Sequence, residues 1–297
     1  MEIPVIDFSK LDGEKRSDTM ALLHQACQQW GCFMIENHGI DKELMEHVKN
    51  QVKQHYEENM KRSFYESEVA KKLENEEFSR DGDWESTFFI RHRPNSNISE
   101  LTSLSTNLRE VVDEYIDQLI KLAENLSELM SENLGLNKQH MKEVFSGSRG
   151  ASVGTKVAIY PECPKPDLIR GLREHTDAGG IILLLQDEQI PGLEFLKDGE
   201  WVGIPPSRNN RIFVNTGDQV EVLSNGMYKS VLHRVKACQN GSRLSIATFY
   251  NPSGDALISP APKMLYPTNY SFQDYLKSYA KTKFTDKGAR FQSLKQA

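Results

Sequence analysis

A few residues in the second half of the chain have the types and spacing of a metal centre. His175 and Asp177 are two positions apart, and in an extended strand such side chains point to the same face. His233 offers a second imidazole. Two imidazoles and one carboxylate are typical of non-haem iron(II) and leave three coordination positions open, whereas zinc more often takes four protein ligands or three and a water. The triad therefore predicts an iron(II) site.

Arg243 and Ser245 repeat the two-residue spacing shortly downstream. A guanidinium and a hydroxyl on one strand face suit a carboxylate, because arginine presents a planar fork of donors and keeps its charge. Residues 228–235 and 243–250 both alternate like half-buried strands, and this context favours a built site over the surface turn that a lone His-x-Asp motif often marks. The pattern predicts a metal together with a small carboxylate ligand.

The elements that must position these residues follow from the periodicity of apolar side chains. Between residues 152 and 252 the period is two, and turn pairs such as Asn225-Gly226 separate the runs, which favours a sandwich or jelly roll. We predict strands at residues 157–159, 181–185, 193–195, 212–214, 220–222, 231–235 and 245–249.

Helical spacing dominates on both sides of this region. Near the amino terminus we predict a strand at residues 4–8, a helix from Ser17, a strand at Cys32–Glu36 and a polar helix at residues 42–64, with residues 66–97 irregular. An apolar stripe at residues 108–134 predicts a helix that ends near Gly135, and helix resumes after Pro262.

The fold class expected from these patterns is α+β, with a jelly-roll core flanked by N-terminal and C-terminal helices. We divide the chain into an N-terminal region of helices and short strands at residues 1–100, a helical segment packing on the core at 101–151, the jelly-roll core at 152–252 and a C-terminal helical segment at 253–297.

Composition excludes several classes of protein. A chain of 297 residues can bury a large core, and its net charge of -6, with scattered basic residues, argues against nucleic-acid binding. The four cysteines form no CxxC pair, which favours reduced thiols. The amino terminus lacks the basic and apolar regions of a signal peptide, and no apolar run is long enough to cross a bilayer. We expect a cytoplasmic monomer with small-molecule partners and no membrane contact.

Longer segments around these residues resemble a known family. HTDAGGIILL at residues 175–184, NTGDQ at 215–219, YKSVLHRV at 228–235 and FYNP at 249–252 are similar to the plant 2-oxoglutarate/iron(II) dioxygenase superfamily. DWESTFF at residues 83–89, GTKV at 154–157 and CPKP at 163–166 resemble more closely the 1-aminocyclopropane-1-carboxylate (ACC) oxidase family. The similarity extends from about Ile3 to Phe291.

This resemblance implies a distorted double-stranded β-helix with the metal ligands between its two sheets. It implies oxidation of ACC by dioxygen to ethylene, carbon dioxide and cyanide, with ascorbate as the reductant and bicarbonate or carbon dioxide as the activator. The implied metal ligands are His175, Asp177 and His233, and the implied catalytic residues are Lys156, Arg243, Ser245 and Arg290. The implied substrate-binding residues are Tyr160, Gln186, Asn215, Phe249, Arg243 and Ser245.

Two of these residues depend on the resemblance most strongly. A lysine in a strand pattern normally faces solvent, but the family lysine that Lys156 matches lies in the pocket. Arg290 matches an arginine linked to bicarbonate activation, although Gly288 and Ala289 replace a glutamate and a proline of the family motif.

Other departures from the family pattern leave the substrate open, namely Ala158, Ile159, Glu162 and Glu174. One alternative is a 2-oxoglutarate-dependent hydroxylase or desaturase of a plant metabolite, which Tyr160, Arg243 and Ser245 permit. Another is a non-catalytic binding protein on the same fold, which the intact triad disfavours.

Overall fold

The computed structural model describes residues 2–75, 82–260, 270–284, 287, 288, 290 and 291. Its strands are β1 Val5–Asp7, β2 Cys32–Glu36, β3 Ser86–Arg93, β4 Ser152–Tyr160, β5 Arg170–His175, β6 Ile181–Gln186, β7 Leu193–Lys197, β8 Glu200–Gly203, β9 Ile212–Thr216, β10 His233–Lys236, β11 Arg243–Asn251, β12 Leu257–Ile258 and β13 Tyr270–Ser271. Its α-helices are α1 Arg16–Gln29, α2 Lys42–His55, α3 Lys61–Tyr65, α4 Glu68–Glu74, α5 Thr106–Asn133, α6 His140–Ser146, α7 Asp218–Leu223 and α8 Phe272–Thr282.

Two facing sheets form the centre of the molecule. The larger sheet has the strand order β1-β2-β9-β6-β11-β4-β3, and the smaller sheet has the order β5-β10-β7-β8. From β4 to β11 the chain passes repeatedly from one sheet to the other, and within this stretch neighbouring strands are antiparallel. This is the predicted jelly roll, and the predicted site residues of β4, β5, β9, β10 and β11 lie between the two sheets.

The long helix α5 supports the larger sheet from outside. The Ser105 hydroxyl begins the helix by accepting a hydrogen bond from the Leu108 backbone amide at 3.2 Å. One face then buries a stripe that includes Leu119 and Leu126, both 0% exposed, and the helix ends just before Gly135 at a positive φ of 72°. The predicted helix is confirmed, and its burial holds the sheet against the N-terminal helices.

The periodicity misassigned two regions. Residues 66–97, predicted to be irregular, contain α4 and the edge strand β3, which pairs with β4. An edge strand carries many charged side chains, and these conceal its apolar period in the sequence. Residues 220–222, predicted as a strand, lie in α7, whose six residues are all buried. A short, wholly buried apolar run carries no period that separates strand from helix.

Smaller differences concern the ends of elements. The predicted helix at residues 42–64 is α2 continued through a π-helical turn at Tyr56–Met60 into α3. The predicted strand at 231–235 begins only at His233. The helix predicted after Pro262 is confirmed by α8. Pro262 itself and Ala289 lie outside the described residues. Among the described helices, none has both the length and the apolar character that a bilayer crossing requires.

Gly31, between α1 and β2, tests how tightly this frame is packed. Its φ is +62°, and an added Cβ would lie 2.1 Å from the Lys229 carbonyl oxygen. Strain and overlap together should make Gly31→Ala lower the free energy of unfolding by about 2–4 kcal/mol in urea denaturation. Gly39→Ala is the matched control: its φ is +82° but nothing lies within 4 Å, so a loss of about 1 kcal/mol is expected. Equal losses in the two variants would contradict the backbone overlap.

Candidate metal centre and adjoining cavity

The triad is assembled by two neighbouring strands and one turn. His175 ends β5, His233 begins β10, and the two residues are direct partners in the antiparallel pairing of these strands. Asp177 lies beyond β5, not inside an extended strand as the spacing argument assumed. It reaches the same side because the turn is held by a hydrogen bond from the Asp218 backbone amide to the Asp177 carbonyl oxygen at 2.8 Å.

The donor atoms converge on one point. Asp177 Oδ1 is 3.8 Å from His175 Nε2, and Asp177 Oδ2 is 3.5 Å from His233 Nε2. All three candidate ligand atoms lie within 4.8 Å of one another, and the residues are buried. Among the described residues, this is the group of histidine, cysteine and acidic side chains that can hold a metal ion. Its donor set fits iron(II).

Hydrogen bonds to the backbone orient both imidazoles. His175 Nδ1 lies 2.8 Å from the Arg173 carbonyl oxygen, and His233 Nδ1 lies 3.1 Å from that of Val231. A carbonyl oxygen only accepts, so each Nδ1 carries the proton and each Nε2 offers its lone pair to a metal. Burial, reinforced by the charges of His233 and Lys283, holds the pKa of His175 well below its usual value. That imidazole is therefore in its neutral, ligating form at physiological pH.

Asn215 and Phe195 contact the side chains of the other two candidate ligands, Asp177 and His233. The Asn215 side-chain amide donates to Asp177 Oδ2 at 2.8 Å. The Phe195 ring stacks on His233, with the ring centres 4.8 Å apart and the planes 9° from parallel. Asn215 lines the cavity as predicted, and its observed contact is with a candidate metal ligand. A role for Asn215 in substrate binding stays a prediction.

A cavity of about 490 Å³ opens beside the triad, between the two sheets. The face of β11 that points into it carries Arg243, Ser245, Ala247 and Phe249 at every second position, as the spacing predicted. Most of the remaining wall is aliphatic or aromatic. The volume suits a small molecule. The other polar residues of the lining are Arg91, Arg93, Asn95, Ser152, Lys156, Asn215, Asn251 and Lys283.

Arg243 is the most distinctive polar group of this wall. Its side chain is 2% exposed, and Nη2 donates to the Gln186 side-chain oxygen at 2.7 Å. Its Nε and Nη1 have no hydrogen-bond partner among the described residues. Burial lowers the pKa of Arg243, but from a value so high that the guanidinium keeps its charge. A buried cation with unused donors calls for an anion, and Gln186 aims it.

Two further residues with polar groups, Lys156 and Tyr160, lie on β4 in the cavity wall. The structure places Lys156 in the cavity wall, where Nζ donates to both carboxylate oxygens of Glu85 at 2.7 Å. The Arg243 guanidinium lies 5.4 Å from the centre of the Tyr160 ring. Burial raises the pKa of Tyr160, so its phenol stays protonated and remains a possible donor.

Arg290 lies apart from the other predicted site residues. It is buried, at 3% exposure, but does not line the cavity. Its Nη2 donates to the Thr176 hydroxyl at 2.8 Å, on the far side of the turn that carries His175 and Asp177. Its predicted catalytic role therefore stays a prediction.

Sequence reasoning missed several charged groups around the cavity. Glu85 lay inside the DWESTFF segment without an assigned role, and Lys283, which lines the cavity from the C-terminal segment, resembled an ordinary surface charge. Burial lowers the pKa of Lys283, with Lys156 adding to the effect. Glu174, beside the first ligand, points away from the cavity and bonds Arg234 Nη1 at 3.1 Å. Ala158 lines the cavity, whereas Ile159 packs in the main core.

Comparisons with known proteins agree with this geometry over the whole chain. The 2OG-Fe(II) oxygenase superfamily model matches residues 149–252, and the model of the non-haem dioxygenase in morphine synthesis N-terminal region matches residues 3–108. The chain is 66% identical over 296 residues to 1-aminocyclopropane-1-carboxylate oxidase 1 of Arabidopsis thaliana, covering 100% of this chain and 95% of that protein. It is 50% identical over 302 residues to 1-aminocyclopropane-1-carboxylate oxidase 1 of Malus domestica, covering 98% and 96%.

A solved structure of a related protein has the same fold. The crystal structure of JOX2 in complex with 2OG, Fe and JA superposes with a TM-score of 0.83 at 31% identity, covering 100% of this chain and 90% of that one. Fold and site thus define a non-haem iron oxidoreductase of the 2OG-Fe(II) oxygenase superfamily, with the predicted double-stranded β-helix core. Within that superfamily, the chain belongs to the ACC oxidase family.

Asn215 provides a test of the metal centre. Asn215→Leu removes the amide that holds Asp177 Oδ2, so we expect about a tenfold weaker affinity for Co(II), measured by anaerobic titration of the metal-free protein. Ser245→Ala is the control, because Ser245 lines the same cavity from β11 but, among the described residues, makes no hydrogen bond to a candidate metal ligand; its metal affinity should be unchanged. A wild-type affinity in Asn215→Leu would show that Asp177 does not need this contact.

Proposed function

We propose that this protein oxidises ACC to ethylene at the His175, Asp177 and His233 centre. The observation that carries the proposal is the buried Arg243 guanidinium, with two donor nitrogens unused among the described residues and a small cavity between it and the triad. Full-length relatives named ACC oxidase, at 66% and 50% identity, support the choice of substrate.

Several groups of the cavity have a task in this reaction. Iron(II), when bound by the triad, supplies the redox chemistry and open coordination positions. Arg243 and Ser245 hold a carboxylate or another small anion on the β11 face, and Gln186 keeps the guanidinium aimed. Phe249 and the neighbouring apolar wall exclude water from the reacting atoms. Tyr160, a neutral phenol beneath Arg243, offers one further hydrogen bond.

We further propose that Lys156 is part of the site where bicarbonate or carbon dioxide activates the enzyme. Its Nζ lies in the cavity wall and is paired with Glu85, so a small anion would bind there by sharing or displacing that carboxylate. Ascorbate is the reductant that the family resemblance implies. We also propose a cytoplasmic monomer, and the four cysteines, all free thiols, support a reducing compartment.

The alternative function is 2-oxoglutarate-dependent hydroxylation or desaturation of a plant metabolite. Its support is the structural similarity to JOX2, which was crystallised with 2OG, and the presence of an arginine and a serine that can hold an oxo acid. The Lys156 and Glu85 pair favours ACC oxidation, because it lies in segments that resemble the ACC oxidase family in particular.

Headspace gas chromatography distinguishes the two functions. Purified protein supplied with ACC, Fe(II), ascorbate and bicarbonate should release ethylene without 2-oxoglutarate, and Asp177→Ala should release none because the metal loses a ligand. Absence of ethylene, together with succinate formed from 2-oxoglutarate, would favour the alternative. Ethylene production unchanged in Asp177→Ala would refute the assignment of the centre.

Arg243 can be tested separately from the metal. Arg243→Met removes the charged donors, so we expect a roughly 10- to 100-fold higher KM for ACC while the Co(II) affinity stays unchanged. Arg243→Lys keeps the charge but loses the planar fork and should recover only part of the affinity. Steady-state kinetics of ethylene release measures both variants, and a wild-type KM in Arg243→Met would exclude this residue as the carboxylate anchor.

A further inference from the structure

Behind the metal centre, on the side away from the cavity, lies a fully buried carboxylate. Asp218 begins α7 and is 0% exposed. Its backbone amide supports the Asp177 carbonyl, and its side chain accepts hydroxyl hydrogen bonds from Ser230 at 2.7 Å and Tyr275 at 2.6 Å. A third hydroxyl, that of Thr176, lies 3.3 Å from its Oδ2. A buried carboxylate needs such partners, because an unsatisfied charge in the interior is costly.

The three hydroxyl partners come from three separate parts of the chain. Thr176 lies between the ligands His175 and Asp177, and Ser230 lies in the segment that leads into His233. Tyr275 is on the C-terminal helix α8. One carboxylate therefore connects both ligand-bearing segments with the C-terminal helix.

The C-terminal segment makes further contacts with the same two ligand-bearing segments. Arg290 Nη2 donates to the Thr176 hydroxyl at 2.8 Å and lies 3.8 Å from Asp218 Oδ2. The Tyr279 hydroxyl donates to the Thr176 carbonyl oxygen at 2.5 Å. Lys287 donates to the Ser230 carbonyl oxygen and, at 2.7 Å, to Glu221. The turn between His175 and Asp177 is thus held from behind by charged and hydroxyl groups.

The front of the same segment forms part of the cavity. Tyr279 and Lys283 both line it, one and two turns beyond Tyr275 along the chain. The contact of α8 with Asp218 therefore supports the turn between His175 and Asp177, and it also places Tyr279 and Lys283 in the cavity wall. Arg290, which is buried among Thr176, Asp218 and Tyr279, contacts the back of this turn.

We propose that Asp218 is a positioning residue of the metal centre: it fastens the C-terminal segment to the backbone that carries the three ligands. Arg290 acts through the same cluster, by holding Thr176 and balancing the Asp218 charge. On this proposal Arg290 influences activity through ligand geometry and not by binding an activating anion.

Metal affinity, measured without substrate, tests the proposal. Asp218→Asn in the full-length, metal-free protein should bind Co(II) about tenfold more weakly in an anaerobic titration, since outer contacts of this kind set ligand orientation. Tyr275→Phe removes a single hydroxyl and should weaken binding by a smaller factor. Tyr270→Phe is the matched control, because that hydroxyl donates to Gln219 and not to Asp218, and it should bind as the wild type does.

Thermal unfolding of the metal-free variants establishes that each is folded. If Asp218→Asn does not fold, Tyr275→Phe decides the question. Folded variants at both positions with wild-type Co(II) affinity would overturn the proposal, because a purely structural role lowers the melting temperature without changing the metal affinity.

Arg290 separates the two interpretations of the C-terminal segment. Arg290→Lys should weaken Co(II) binding and leave the bicarbonate concentration for half-maximal ethylene release unchanged. A shifted bicarbonate dependence with wild-type Co(II) affinity would show instead that Arg290 binds the anion. Only the bicarbonate measurement rests on the proposed function. A protein that forms no ethylene would still show the change in Co(II) affinity.

Discussion

The antiparallel pairing of β5 with β10 is the constraint on which the rest of the site depends. It sets His175 directly opposite His233, with their ring centres 4.3 Å apart. Two buried imidazoles this close are compatible only if they are uncharged or share a cation, and burial already holds the pKa of His175 well below its usual value. Asp177 supplies the negative charge in the same space. The arrangement of these three side chains therefore suits a divalent metal.

Charge balance organises the cavity around this centre. Five basic residues line a mostly apolar wall: Arg91, Arg93, Lys156, Arg243 and Lys283. Glu85 compensates Lys156 by a two-oxygen contact. Arg243 has no acidic hydrogen-bond partner among the described residues; its partner is the neutral Gln186. Lys156 is thus already compensated by a carboxylate, whereas Arg243 is able to bind an anion. This difference allows a small acid to bind in one orientation, with its carboxylate at Arg243.

Much of this could be predicted from local patterns, because they report on local geometry. The two-residue spacing of Arg243 and Ser245 places both on one face of β11, and the helical stripe of α5 ends near Gly135 as predicted. The patterns failed where burial removes periodicity or charge conceals it. All of α7 is buried and looked like a strand, and β3 with α4 was hidden in a charged segment.

By itself, the sequence determined the ligand types, the strand-rich core and, through long similar segments, the family. Only the tertiary structure decided which charged groups meet. Glu85, just before β3, and Lys156 in β4 are distant in sequence but form an ion pair. Asp218 gathers Thr176, Ser230 and Tyr275 from three segments. The same holds for the contact of Arg290 with the Thr176 hydroxyl, which joins residues far apart in sequence. Contacts between residues far apart in sequence depend on the relative placement of whole elements, about which spacing within one element carries no information.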